Sequence, residues 1–153
     1  MKKIILAVVG AVILLGGGAG GTAAYMQMKH HAGPPQPPPP KPILFAEIDN
    51  LVVSVPADSS GQSGQSYVQF SVQFASTDQK AVAVFESLLP IAKAETINLL
   101  MAQTAKQLMD PSTHEALAKN CLAIANQVLD KDAGYTPKNP FTAAYITNIV
   151  QQD

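Results

Sequence analysis

The chain has 153 residues, a formal net charge of -1, no tryptophan and one cysteine, Cys121. A single cysteine excludes an intrachain disulfide, and sparse Lys and Arg without interleaved aromatics exclude a nucleic-acid surface. Outside the apolar N-terminus and a proline stretch, about 110 residues remain, which suits one modest domain with one core.

After Met1-Lys2-Lys3, no charged residue occurs from Ile4 to Met28. A run of about 25 residues crosses a hydrocarbon core of roughly 30 Å as a slightly tilted helix. The same start also fits a signal peptide, with Ile4–Leu15 as its apolar region and the small residues of Gly21–Tyr25 as a cleavage site. The apolar stretch continues well past the length of such a region, and glycine is tolerated in membrane helices, so a retained anchor over residues 4–28 is expected. No cysteine lies near the run, which excludes a lipoprotein. Lys2 and Lys3 place residues 1–3 in the cytoplasm by the positive-inside rule, against a single Lys29 on the far side. Gly10, Gly17 and Gly21 lie at near-helical spacings, which suits either close packing against a partner helix or a loosely selected glycine-rich anchor.

Residues 29–42 form a tether. Seven of the nine residues from Pro34 to Pro42 are proline, a composition that favours polyproline II at about 3.1 Å per residue, so Gly33–Pro42 spans roughly 30 Å. Proline-rich segments also serve as ligands for aromatic grooves, but a stiff spacer is the simpler reading. His30 and His31 are adjacent without a third ligand nearby and read as a polar flank of the membrane, not as a metal site.

From Ile43 the pattern is that of a folded domain, 43–153. Ile43–Val55 is rich in β-branched residues and reads as a strand, with an irregularity near Asp49-Asn50 where the alternation changes phase. Pro56–Gln65 is a polar loop. Tyr67–Ala75 alternates strictly, Val68, Phe70, Val72 and Phe74 on one side and Tyr67, Gln69, Ser71 and Gln73 on the other, and the two strands suggest an antiparallel hairpin. Asp78 is a helix N-cap, followed by Val82, Phe85 and Leu89 at helical spacing. Pro90 ends or kinks that helix, and a second helix runs from Ile91 to about Thr104 with Ile97, Leu100 and Met101 on one side. The third starts near Asp110, capped either by Asp110 with Pro111 at the first helical position or by a Ser112–Glu115 capping box. Its stripe is Leu117, Cys121, Ile124 and Val128, widened by Ala118, Leu122, Ala125 and Leu129, with Lys119, Asn120 and Gln127 off it. Gly134 marks the stop, and a last strand is expected around Tyr145–Val150. The order is β-β-α-α-α-β, an α+β domain with helices on one face of a small antiparallel sheet.

No catalytic motif is visible: no nucleophile elbow, zinc-protease helix, phosphate loop or cysteine pair. Cys121 sits on an apolar stripe and reads as a buried structural thiol. His114 has no partner nearby in sequence and reads as a solvent-exposed polar residue. Glu47 and Asp49 flank the strand irregularity and read as solvated. No catalytic, cofactor-binding or metal-binding residue and no cofactor is assigned, and the chain is not expected to be an enzyme.

The ordered signals resemble the family of flagellar basal-body-associated proteins called FliL. They are a short start, one span, a tether, Asn50-Leu51 on a strand, Tyr67-Val68 opening the next, and a helix pair broken by Pro90. Gln103-Thr104 with Leu108, Leu117 with Asn126, and Tyr145-Ile146-Thr147 with Val150-Gln151 complete the series, so the resemblance runs from the span to Gln151. Asp110-Pro111 stands where the family often has a glycine between helices. The resemblance implies a single-pass protein of the bacterial inner membrane, with its N-terminus cytoplasmic and its domain periplasmic, folded like stomatin-type (SPFH) scaffold proteins. It implies a homo-oligomeric ring around the flagellar stator units, supporting torque, swimming and swarming motility. The alternative is an anchored or secreted periplasmic module that binds a ligand or the cell wall and has no part in motility.

Overall fold

The computed structural model describes residues 39–58 and 64–152. The chain divides into two units, Met1–Pro40 and Lys41–Asp153, and apart from Pro39 and Pro40 every described residue belongs to the second. The expected span 4–28, most of the tether, His30, His31 and the glycines at 10, 17 and 21 lie outside the described residues. Among the described residues no helix is long and apolar enough to cross a membrane.

The elements are β1 (Leu44–Pro56), β2 (Gln65–Ser76), α1 (Gln79–Ser87), α2 (Leu89–Met101), α3 (Ala105–Met109), α4 (Pro111–Ala133) and β3 (Phe141–Gln152). The three strands form one antiparallel sheet in the order β1-β2-β3. The fold is α+β as expected, with the helices between the hairpin and the returning strand. The strict alternation of β2 decides its orientation: Val68, Phe70, Val72 and Phe74 are fully buried under the helices. Fully burying each such side chain stabilises the fold by about 1.5–3 kcal/mol. Phe74, Phe85 and Phe141 meet with ring centroids 5.1–5.7 Å apart in tilted and edge-on arrangements, the geometry that ring quadrupoles favour. This cluster joins β2, α1 and β3. α2 packs over β1 and α4 over β3, and the two helices also touch each other.

Helix starts follow the local signals. Asp78 caps α1, its carboxylate accepting from the amides of Lys80 and Ala81 at 3.0 and 3.3 Å. Leu88 ends α1 and precedes α2, whose first turn holds Pro90, so the proline breaks the helix as expected. Of the two caps weighed for α4, Asp110 is the one used: it accepts from the Ser112 amide at 2.9 Å with Pro111 next in line. Gly134 ends α4 at φ 59°, a left-handed position that costs glycine nothing.

Three expectations need correction. Among the described residues the helices number four, giving β-β-α-α-α-α-β, because Thr104 and Gln107 form a capping box that starts the five-residue α3 on its own. Met101 is 56% exposed, and the buried side of α2 is Ala92, Thr96 and Leu100. Thr96 can be buried there because its hydroxyl donates to the Ala92 carbonyl at 2.8 Å. β3 begins at Phe141, four residues earlier than Tyr145, because Asn126 of α4 pairs with both backbone groups of Phe141 at 3.0 Å.

Candidate functional site

The helices cover one face of the sheet and leave the other open. β1 presents Phe45, Glu47, Asp49 and Val52 on that face, and β2 presents Tyr67, Gln69, Ser71 and Gln73. β3 adds Tyr145, Asn148 and Val150, as the pairing Glu47–Gln73–Tyr145 and Val52–Gln69–Val150 requires. Phe45, Val52, Tyr67 and Tyr145 are each more than half exposed. Large apolar groups grouped in this way on one face mark an interaction surface more often than scattered ones do. Phe45 and Tyr145 reach toward each other across the narrow Ala75, with ring centroids 6.4 Å apart.

A polar band separates this aromatic end from the Val52–Tyr67–Val150 end. Its origin is the irregularity expected at Asp49-Asn50. Ile48 pairs with Val72 and Leu51 with Phe70, so Asp49 and Asn50 together face Ser71. Asn50 adopts φ 54°, a conformation asparagine tolerates better than most residues. Ser71 donates to Asp49 at 2.7 Å and accepts from the Asn50 amide at 3.2 Å. Asn50 Nδ2 donates to Asp49 at 2.6 Å, and Gln69 donates to Asn50 Oδ1 at 2.7 Å. β3 is irregular at the same level, since Ser71 pairs with Asn148 and Val72 with Ile146, skipping Thr147. Glu47 accepts from Gln73 at 3.3 Å. Both carboxylates were expected to be solvated, and both are exposed; what the sequence did not reveal is that neutral donors hold them in place. They are the charged residues of all three strands. The ion pairs among the described residues are Lys119–Glu115 and Lys138–Asp130, and neither carboxylate of the sheet takes part in them.

On the helix side, a groove of about 400 Å³ runs between the start of α4 and β3, lined by His114, Glu115, Ala118 and Ala144–Ile149. His114 is not the free surface residue that was expected. It is half-buried, with Nε2 2.9 Å from the Leu108 carbonyl. It fastens the first turn of α4 to α3. Cys121 is fully buried, and burial pushes its thiol up to about 12. A thiol so hard to ionise is a poor nucleophile at neutral pH. No group of three or more His, Cys, Asp or Glu suited to a metal occurs among the described residues.

A family model described as flagellar basal body-associated protein FliL matches residues 45–152. No curated protein matches the chain.

Proposed function

Because the chain belongs to the FliL family of flagellar basal body-associated proteins, we propose that it is a non-enzymatic scaffold for the stator units of the flagellar motor. Residues 1–3 lie in the cytoplasm, 4–28 span the inner membrane, 29–42 form the tether, and 43–153 form a periplasmic domain of stomatin-like fold. Copies of the domain associate in a ring around the stator units and support torque, swimming and swarming.

The observation that carries this reading is the coincidence of the family match with a domain whose helices close one sheet face while the other presents exposed aromatic and aliphatic side chains. Such a domain has a surface to give to a neighbour and needs no chemistry of its own. The uncharged run Ile4–Met28 supports the anchor. Weak contacts between domains and with a stator gain strength when all are confined to one membrane.

The test is a count of fluorescently labelled stator units at motors of a strain lacking the protein. Fewer units and slower swimming in viscous medium are expected. Unchanged occupancy under load would overturn the reading. The intact mass of the membrane-extracted protein should match the full chain; a product beginning near Tyr25 would remove the anchor from the account.

A further inference from the structure

We infer that the open face of the sheet docks a basic amphipathic helix of a partner protein, seated by its apolar side with a lysine or arginine against Glu47 and Asp49. The inference deepens the scaffold reading by assigning the partner-facing surface, and it rests on that reading.

The face has the chemistry for such an occupant. Phe45 and Tyr145 supply ring faces at one end, and Val52, Tyr67 and Val150 supply apolar surface at the other. Between them stand two carboxylates with no cation of their own. Ser71, Asn50 and Gln73 orient these carboxylates through neutral hydrogen bonds, so their charge is left available to an incoming group. An ammonium or guanidinium beside Glu47 also comes within reach of the Phe45 and Tyr145 rings, where a cation is attracted by the ring quadrupole. β1 and β3 are irregular opposite Ser71, β3 is irregular again between Ala75 and Ser76, and the remaining residues of both pair with β2. The face therefore offers side chains, not a strand edge, and a helix laid on it forms a further layer on the sheet.

Charge also disfavours a copy laid face to face and an anionic bilayer. A second copy laid face to face sets Glu47 and Asp49 against their own counterparts. On the helix side Lys119 and Lys138 are paired with Glu115 and Asp130, whereas Lys93, Lys106 and Lys131 are in no ion pair among the described residues, so a second copy presenting its helices is the rival that the oligomer measurement below decides. An anionic bilayer repels the two carboxylates at the centre of the face.

The experiment uses the full chain in amphipol and a fluorescent synthetic helix of about 18 residues, built from Leu, Ala and Lys with the lysines inside its apolar stripe. A second peptide carries Glu in place of each Lys. Saturable binding of the lysine peptide is expected by anisotropy, about tenfold weaker for the glutamate peptide. The double variant Glu47→Lys/Asp49→Lys should reverse that preference, and a reversal cannot come from misfolding. Phe45→Ser/Tyr145→Ser should weaken both peptides, while Met101→Ser on the helix side should change neither. Equal binding of the two peptides, or no reversal in the lysine variant, overturns the proposal. So does quenching of a bimane at Val52→Cys by brominated lipid in nanodiscs, which would assign the face to the bilayer. A fall in oligomer mass in Phe45→Ser/Tyr145→Ser without loss of peptide binding would assign it to a second copy and overturn it equally. Stator occupancy is read separately: peptide binding without any motor phenotype sinks the scaffold reading alone, and a motor phenotype without peptide binding sinks this inference alone.

Discussion

Asn126 donates from Nδ2 to the Phe141 carbonyl and accepts from the Phe141 amide through Oδ1, each at 3.0 Å, at a site only 9% exposed. Asn126→Ala leaves two backbone groups without partners at the start of β3. Each orphaned buried group costs about 1–3 kcal/mol, so urea unfolding should show a loss of about 3 kcal/mol; a loss below about 1 kcal/mol would mean that water replaces the side chain. A second residue-scale device is the bond from the Tyr135 hydroxyl to Asp78 at 2.7 Å. That bond is the main reason the Asp78 carboxyl lies below its usual range. The amides of Ala81 and Lys80 assist, and partial burial opposes them. The fold thus favours ionised Asp78, and this stability is whole above about pH 4 and drains as pH falls through the lowered folded value. Tyr135 has the opposite sign. Burial first, then Asp78, pushes its hydroxyl up to about 12, so its contribution is whole below about pH 10 and drains as pH rises toward that value. Melting curves across pH should therefore be flatter on both limbs in Tyr135→Phe; limbs as steep as those of the parent would disprove the coupling.

At the scale of elements, the bulge in β1 and the short helix α3 show what local sequence carries. The change of phase at Asp49-Asn50 announced the bulge, because a period of two has to slip by one residue to keep Ile48 and Leu51 both facing the core. Asn50→Val puts a branched side chain at φ 54° and removes the bond to Gln69. It should cost about 1–2 kcal/mol, whereas Asn50→Gly keeps the backbone and should lose clearly less in the same denaturation series. Equal losses would show that the side-chain network, not the backbone conformation, holds the bulge. The Thr104–Gln107 box was also written in the sequence, but five residues are too few for a helical period to register. α3 is held instead by distant partners: the Lys106 amide bonds the Ala57 carbonyl at 3.2 Å, and Leu108 is fully buried.

At the scale of the whole molecule, the proposed tether of residues 29–42 would set how far the domain stands from the proposed anchor. Removing Pro34–Pro40 should lower the domain by about 20 Å at the polyproline rise while leaving the core of residues 43–153 intact. The protein should still fold and reach the membrane, yet stator recruitment and swimming in viscous medium should fall more than swimming in dilute buffer. A Gly/Ser replacement of equal length should be intermediate, since it restores reach without stiffness. Normal swarming and normal stator occupancy in the deletion strain would make the tether an inert spacer.

The sequence by itself determined the class of the fold and the direction that β2 and α4 face. Periods of two and of 3.6, capping residues and the Pro90 break are local properties, and local properties are written in neighbouring residues. It also carried the family, through the order of short signals from Asn50-Leu51 to Val150-Gln151, which the match over residues 45–152 bears out. Tertiary structure alone decided that Thr96 and Asn126 are buried, that His114 answers to Leu108, and that Phe45 and Tyr145 meet. Thr96 finds its partner, Ala92, one turn back in its own helix, and packing against the rest of the core buries it; the others join residues that the chain brings together only by folding. A polar side chain is buried when a partner elsewhere satisfies it, and two exposed residues become one surface when strands far apart in sequence align in register.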